Sequence, residues 1–241
     1  MCGIYHVGRE LESGVESMMR MVNRERKARR RIAFSENVEE KGESALREVL
    51  AGESRKSATR EIFAEDCRKI DLCGFFTQER DIRPTDQAPV LVGREDGMIL
   101  QSVRWGLPGF QKGQVIFNAR CETAMEKPMF RDGILRSRIV IPAVSFYEWN
   151  KLKEKNVFKR PDGKVIYMAG FCRGEGEMER FTILTTAANA SMQPVHDRMP
   201  LILEESEIEP WLYQENWTES LLRKVPGALS REAEFEQLSL F

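Results

Sequence analysis

From Ile70 onward the chain is a series of short apolar segments separated by glycine, proline and polar residues, and this pattern restricts the fold more than any other feature. Short apolar runs bounded by turn residues predict β-strands. They show no regular alternation with helical segments, which argues against a succession of βαβ units. The predicted strands are Pro89–Val92, Met98–Val103, Val115–Asn118, Arg138–Trp149, Val165–Cys172 and Phe181–Thr186.

Helical periodicity is found near the two ends of the chain. Val15, Met18, Met19 and Val22 recur at helical spacing within a predicted helix at about Leu11–Phe34. Further helices are predicted at Ser44–Leu50, Ser206–Tyr213 and Thr218–Lys224, with a loop at Gly52–Thr59. We therefore expect an α+β fold with a mainly antiparallel, barrel-like β core and flanking helices. The 241 residues form one domain, 1–241, with a charged helical or loop insertion at about 24–69.

The composition limits the location and the chemistry of the protein. No apolar run approaches the roughly 18 residues of a membrane span, and the N-terminus lacks the features of a signal peptide, so we expect a cytoplasmic protein without a membrane partner. The five cysteines are irregularly spaced and the only histidines are His6 and His196. This pattern does not match a zinc site, and we expect neither a metal nor another cofactor.

Charge is distributed unevenly along the chain. Between Gly97 and Lys164 there are 13 Lys/Arg and 6 Asp/Glu, whereas between Leu201 and Phe241 there are 3 and 9. A basic middle and an acidic tail are compatible with a polyanion-binding face. Local fluctuation of ordinary surface charge gives the same composition.

Cys2 directly follows the initiator methionine. Removal of Met1 produces a 1,2-aminothiol, whose amine and thiol are both partly available as nucleophiles near neutral pH. Such a group reacts with an aldehyde first to an imine and then, when the sulfur adds, to a thiazolidine ring. The alternative is a small buried residue at the start of a strand.

Two other residues are candidates for proton transfer. If the end of Arg138–Trp149 is extended, Glu148 continues an apolar face with Val144 and Phe146, and burial there raises the pKa of a carboxyl toward that of a general acid. A strand-end glutamate paired with an arginine is the alternative. His196 lies in a polar loop between two apolar runs, where it could transfer protons or be structural.

The segment Val103–Arg131 interleaves cations with aromatic residues, as a groove for single-stranded nucleic acid does. Asn118 and Arg120 are two residues apart at a strand end and can project to one side. The same aromatic residues would also serve a core. The cations are Arg104, Arg120, Lys127 and Arg131, and the aromatic residues are Trp105, Phe110, Phe117 and Phe130.

Together these segments resemble the SRAP family, the SOS-response-associated peptidase domain that shields abasic sites in DNA. The resemblance covers nearly the whole chain, with the motifs in the expected order. They are Met1-Cys2-Gly3, IRPTDQAPV (Ile82–Val90), WGLPGF (Trp105–Phe110), NARCET (Asn118–Thr123), KPMFR (Lys127–Arg131), IPAVSFYEW (Ile141–Trp149) and TTAANASMQPVHDRMPLIL (Thr185–Leu203).

The resemblance implies a role for each matching catalytic residue. The processed Cys2 would be the nucleophile that forms a thiazolidine crosslink to an abasic site in single-stranded DNA. Asn118 would hold the α-amine and the sugar, Glu148 would move protons during ring opening, and His196 would assist the ring-opened intermediate. The peptidase activity would be self-removal of Met1, so the enzyme class is peptidase- and lyase-like.

The resemblance also implies the DNA contacts. Arg120, Arg131 and Arg198 would bind phosphates, with Trp105 and Pro84 near the bases. The fourth residue is a departure: family members usually have an arginine there that contacts DNA, and this chain has Ile4.

Two other functions compete with this interpretation. Class II glutamine amidotransferase domains also begin Met-Cys-Gly-Ile and use the freed cysteine to attack the amide of glutamine. Their downstream substrate motifs are absent from this sequence. A non-catalytic single-strand binder would use the same basic groove but leave Cys2, Glu148 and His196 without a role.

Overall fold

Two β-sheets, a larger and a smaller one, share one core in the structure, a computed structural model that describes residues 3–30, 76, 79–174 and 180–233. A third sheet in these residues has only two strands. The strands are β1 (Ile4–Val7), β2 (Arg80–Ile82), β3 (Gln87–Arg94), β4 (Gly97–Trp105), β5 (Leu107–Pro108), β6 (Val115–Ile116), β7 (Asn118–Arg120), β8 (Arg138–Ala143), β9 (Ser145–Trp149), β10 (Lys155–Lys159), β11 (Ile166–Arg173), β12 (Arg180–Ala187), β13 (Arg198–Pro200), β14 (Ile202–Leu203) and β15 (Ser230–Ala233). The helices are α1 (10–30), α2 (Cys121–Ala124), α3 (Pro128–Arg136), α4 (Glu205–Tyr213) and α5 (Thr218–Leu222), with a 3₁₀ turn at Glu215–Trp217.

The larger sheet closes into a ring. Its order is β13-β12-β4-β3-β8-β11-β14, and β11 also pairs with β12, so β12, β4, β3, β8 and β11 form a continuous circuit. Among the described strands, only the pairings of β12 with β4 and β7 are parallel. The predicted α+β class with a mainly antiparallel, barrel-like core is therefore confirmed, although the ring is not a regular barrel.

The smaller sheet has the order β15-β10-β9-β1-β2, and every pairing is antiparallel. It is joined to the ring where β8 continues into β9. The predicted strand Arg138–Trp149 divides there, because Val144 leaves the ladder and its N–H donates to the carbonyl of His6 at 2.9 Å. The chain thus passes from one sheet to the other within a single apolar run, and the hydrophobic pattern gives no sign of this division.

Helix α1 packs against the ring through the apolar face predicted from its periodicity. Leu11, Val15, Met18 and Val22 are buried, which confirms the helix through residue 30. Residues 24–30, the first part of the predicted insertion, continue this helix. The remainder of the insertion, with the predicted helix Ser44–Leu50 and loop Gly52–Thr59, lies outside the described residues.

The other predicted helices and strands are found with shifted ends, except that the predicted strand Val115–Asn118 divides between β6 and β7, which belong to different sheets. Helices α4 and α5 correspond to the two that were predicted near the C-terminus. Several short elements were not predicted, namely β1, β2, β5, β10, β13, β14, β15, α2 and α3. Of the helices in the described ranges, none combines the length and the apolar character that crossing a membrane requires.

Trp105 is the centre of an aromatic cluster at the end of β4. Its side chain is 0% exposed. Ring centroids of Tyr5, Phe117 and Phe181 lie 5.2, 5.9 and 6.2 Å from it. Its indole N–H donates to the carbonyl of Phe117 at 2.8 Å. This cluster joins β1 to the ring, so Trp105 stabilises the connection between the two sheets.

We expect Trp105→Phe to lower the free energy of unfolding by about 2 kcal/mol, because the smaller ring leaves a gap and the Phe117 carbonyl loses one of its two donors and keeps only the Ile183 N–H. Urea denaturation measures the loss. The control is Trp217→Phe, since Trp217 is 43% exposed and its replacement is expected to change stability by less than about 0.5 kcal/mol. Equal effects of the two substitutions would show that the Trp105 cluster is not a stabilising contact.

Candidate functional site

Glu148 is a buried carboxyl near the end of β9. Glu148 is 3% exposed, and it lies opposite Asn156 of β10, which is 2% exposed. Burial raises the pKa of the Glu148 carboxyl, and the charge of His196 acts in the opposite direction. The predicted burial of Glu148 is therefore observed, and its carboxyl is suited to donate a proton closer to neutral pH than an exposed glutamate.

The N-terminal strand begins beside Glu148. In the antiparallel pairing of β1 with β9, Ile4 lies opposite Tyr147 and His6 opposite Ser145. The N-terminal end of β1 is consequently at the Glu148 end of β9. Cys2 precedes this end by two residues and lies outside the described residues.

A hydrogen-bonded group of side chains holds β1 between its neighbours. His6 on β1 lies 3.1 Å from the Asp81 carboxylate on β2, measured from Nδ1 to Oδ1. The Tyr147 hydroxyl on β9 donates to the same oxygen at 3.0 Å. Burial, followed by this carboxylate, raises the pKa of Tyr147 to about 12. The cluster fixes the strand that leads to the N-terminus, and the sequence analysis did not identify it.

His196 lies in the connection between β12 and β13, within electrostatic reach of Glu148. The backbone N–H of Arg198 donates to its Nδ1 at 2.9 Å. An accepting Nδ1 carries no proton, so in this arrangement the neutral ring has its proton on Nε2. Asp197 Oδ1 also lies 2.9 Å from Nδ1, but that contact is favourable only when Nδ1 is protonated. The two contacts therefore belong to different protonation states of His196.

Arg198 is held by acceptors within the protein. Its guanidinium makes a bidentate pair with Glu122 at 2.6 and 2.8 Å and donates to the Thr185 carbonyl at 2.5 Å. The hydrogen bonds from Arg198 are the main reason that the pKa of Glu122 is lowered. In this arrangement both terminal nitrogens of Arg198 have acceptors within the protein, and Arg198 orients the loop that carries His196. The expected phosphate contact of Arg198 stays a prediction. Glu122 was not identified from the sequence.

Asn118 and Arg120 occupy β7, which runs parallel to β12 with Asn118 opposite Ile183 and Arg120 opposite Thr185. The Thr185 hydroxyl donates to the Ala119 carbonyl at 3.3 Å. Asn118 is half-buried and Arg120 is exposed. Since Thr185 contacts both β7 and Arg198, the structure brings the Asn118–Arg120 segment and the His196 loop to the same end of β12.

The remaining predicted residues differ in their surroundings. Trp105 is fully buried and has no ring face open to a base, which corrects its expected position. Pro84 is half-buried in the loop after β2, where the N–H of Thr85 donates to the Trp105 carbonyl at 2.8 Å. Arg131 is exposed on α3, and no described contact connects it with the Glu148 and Arg198 groups.

The described cysteines are not candidate nucleophiles. Cys121 and Cys172 are buried, and burial raises the pKa of each thiol to about 12. Thiols with such pKa values are not ionised near neutral pH. Within residues 3–30, 76, 79–174 and 180–233, no group of three or more His, Cys, Asp or Glu side chains could hold a metal ion.

Comparisons with known proteins found one family model, several similar proteins and several similar solved structures. The model of SRAP, SOS response associated peptidase, matches residues 48–239. The abasic site processing protein YedK of Escherichia coli is 32% identical over 180 residues, covering 69% of this chain and 81% of YedK. The corresponding values for YoqW of Bacillus subtilis are 30% over 178 residues, 63% and 74%. A crystal structure of a Bacteroides thetaiotaomicron protein is similar with a TM-score of 0.53 and 25% identity, covering 64% of this chain and 76% of that one.

We expect Glu148→Gln to gain stability relative to the wild type as the pH rises. The unfolded carboxyl ionises from about pH 4.3, whereas the folded one has a raised pKa. The free energy of unfolding of the wild type therefore falls as the pH rises from the pKa of the unfolded state to that of the folded state, and it loses no more above the folded pKa. Glutamine does not ionise, so the variant has no such loss. Urea denaturation of both proteins at acidic and neutral pH measures this difference. A difference that is constant with pH, or that changes in the opposite direction, contradicts the raised pKa.

Proposed function

Because the chain belongs to the SOS response associated peptidase (SRAP) family, we propose that it processes abasic sites in single-stranded DNA by forming a covalent bond through Cys2. The printed names of its relatives, abasic site processing proteins, support this substrate. The observation that carries the proposal is the buried Glu148 carboxyl, with its raised pKa, at the end of β9 where β1 begins. Cys2 is two residues upstream of β1 in the sequence, and the N-terminal end of β1 lies at the Glu148 end of β9.

The first proposed step is the removal of Met1. Hydrolysis of the Met1–Cys2 peptide bond consumes one water and releases free methionine, which leaves Cys2 with an α-amine and a thiol on adjacent carbons. Glu148 would move the proton that this hydrolysis transfers to the new amine, because a buried carboxyl with a raised pKa exchanges protons near neutral pH.

The second step joins the protein to DNA. The sugar of an abasic site opens to an aldehyde, and the α-amine of Cys2 adds to it and expels one water to form an imine. The Cys2 sulfur then adds to the imine carbon and the imine nitrogen gains a proton, which closes a thiazolidine ring. No oxidant or metal is needed. Ring closure consumes the imine, which is the bond that water would hydrolyse, so the product is a persistent DNA–protein crosslink.

Three side chains would assist this chemistry. Glu148 would protonate the sugar oxygen as the ring opens and the leaving oxygen as the imine forms. His196, with a proton on Nε2 when Nδ1 accepts from the backbone, would donate a hydrogen bond to the opened sugar. Asn118 would hold the α-amine by its side-chain amide, as the family resemblance implies.

DNA binding would depend on the exposed arginines. Arg120 follows Asn118 on β7 and is exposed, and Arg131 is exposed on α3. Arg198 would contribute indirectly, because its pairing with Glu122 and Thr185 orients the His196 loop.

We expect wild-type protein to give a DNA-shifted band on a denaturing gel after incubation with abasic single-stranded DNA, and Cys2→Ala to give none without a reductant. Cys2→Ala retains an amine and forms only an imine, which hydrolyses. A variant with a non-removable residue ahead of Cys2 keeps the thiol but lacks the free amine, so it also gives no stable band. A glutaminase assay is run in parallel. Glutamine hydrolysis without a shifted band would instead establish an amidotransferase-type activity.

Arg131→Ala is expected to weaken binding to intact and abasic single strands alike, with a smaller dependence on salt, because a phosphate contact releases counterions. Arg136→Ala on the same helix is the matched control, since Arg136 is exposed and pairs with Asp132 at 3.0 Å. Fluorescence anisotropy over a salt series measures both variants. If the two behave identically, Arg131 is not part of the DNA-binding face.

A further inference from the structure

The turn that connects β9 to β10, residues 149–154, begins directly after Glu148 and carries an apolar residue between two lysines. Leu152 is 77% exposed, and among the large hydrophobic residues of the described ranges only Phe110 is more exposed. Lys151 and Lys153 are exposed on either side of it. We call residues 149–154 the β9–β10 turn.

The backbone of the β9–β10 turn is held in one conformation. Lys153 N–H donates to the Asn150 carbonyl at 2.9 Å, and Asn150 N–H donates to the Glu154 carbonyl at 3.1 Å. The Asn150 side-chain oxygen accepts the N–H groups of Leu152 and Glu154 at 2.9 and 3.0 Å. Lys151 and Leu152 are the two central residues of this turn, so a fixed backbone directs both away from the sheet.

Lys153 has a backbone conformation that ordinarily favours glycine. Its φ is +64°, in the left-handed region, which glycine adopts without a steric penalty and which costs other residues free energy. The only other non-glycine residue with positive φ in the described ranges is Thr85, next to Pro84. Turn geometry alone would select glycine at position 153, so the presence of lysine points to a use for its side chain.

The lysines of the β9–β10 turn are available for an anionic partner. In the described ranges, neither Lys151 nor Lys153 makes an ion pair, whereas Lys155 lies 4.1 Å above the Tyr147 ring. Leu152 is four residues beyond Glu148, within at most about 13 Å of extended chain. This distance is comparable with one or two nucleotides of a strand that passes Glu148.

We propose that the β9–β10 turn binds the DNA strand beside the abasic nucleotide, with Lys151 and Lys153 on phosphates and Leu152 against the neighbouring base. An abasic site leaves that base without a stacking partner on one side, and an apolar side chain can cover the exposed ring. The proposal rests on the proposed function, because it takes Glu148 as the position of the abasic sugar.

The charge contribution is tested with Lys151→Gln/Lys153→Gln against Arg24→Gln/Lys27→Gln. Both variants lose two positive charges from exposed residues, but Arg24 and Lys27 lie on α1, next to Asn23, whose side chain bonds the backbone of Met98 in the β3–β4 hairpin. The probe is a fluorescein-labelled single strand with a tetrahydrofuran abasic analogue, which has no aldehyde and cannot crosslink. We expect the turn variant to lower the salt slope by about 1.4, or 0.7 per phosphate contact, and the control to leave it unchanged. Equal slopes for the two variants overturn the proposal.

Lys153→Gly distinguishes a DNA contact of the Lys153 side chain from its effect on the backbone conformation of the turn. If lysine is present for DNA, the glycine variant is more stable to urea than the wild type and binds the same probe several-fold more weakly. Wild-type binding by Lys153→Gly overturns the role of Lys153.

The base contact of Leu152 is tested by comparing Leu152→Asn with Val225→Asn, since Val225 is 72% exposed. We expect weaker binding only for the Leu152 variant, and equal binding by both overturns the base contact.

Failure of this inference is distinguishable from failure of the proposed function. Crosslinking of wild-type protein to a natural abasic strand tests the proposed function alone. Salt slopes with the tetrahydrofuran probe test the β9–β10 turn alone, because they require no covalent chemistry. If wild-type protein crosslinks to the natural strand but the turn variant has the wild-type salt slope, the β9–β10 turn does not bind DNA and the proposed function still holds.

Discussion

The burial of the Glu148 carboxyl where β9 meets the start of β1 is the constraint on which the site depends. A carboxyl that is removed from water is difficult to ionise, and burial raises its pKa. That environment exists because the chain passes from the ring into the smaller sheet at Val144 and places Glu148 opposite the buried Asn156. An exposed glutamate at the same point would be ionised at neutral pH and would not serve as an acid.

The two sheets position different parts of the site around this carboxyl. The smaller sheet positions the N-terminal strand, which is held by pairing with β2 and β9 and by the contacts of Asp81 with His6 and Tyr147. The ring presents the end of β12, where β7 and the His196 loop meet through Thr185 and Arg198. The position of His196 relative to Glu148 therefore depends on both sheets, because His196 connects two strands of the ring and Glu148 belongs to the smaller sheet.

Local sequence patterns predicted most of the fold and part of the candidate site. Periodicity identified α1 and the long strands, because one face of each is apolar, and alternation placed Glu148 on the buried face. The division of Arg138–Trp149 was not predictable, since an apolar run is equally compatible with one sheet or two. Short polar strands such as β10 carry no hydrophobic pattern that could reveal them.

Side-chain partners were the least predictable feature. Arg198 lies in a motif whose resemblance implied a phosphate contact, but Glu122, distant in sequence, occupies its guanidinium. Trp105 lies in a basic, aromatic segment typical of a nucleic-acid groove, yet it is a core residue. In both cases only the three-dimensional arrangement showed which groups contact the side chain.

The central claim, that a processed Cys2 bonds to an abasic sugar with Glu148 as the acid, is tested most directly by intact-mass spectrometry after incubation with an abasic single strand. The account predicts a species with the mass of the protein without Met1 plus the strand, less one water, since imine formation expels one water and ring closure expels none. A protein that retains Met1 and gains no mass from the strand would contradict it.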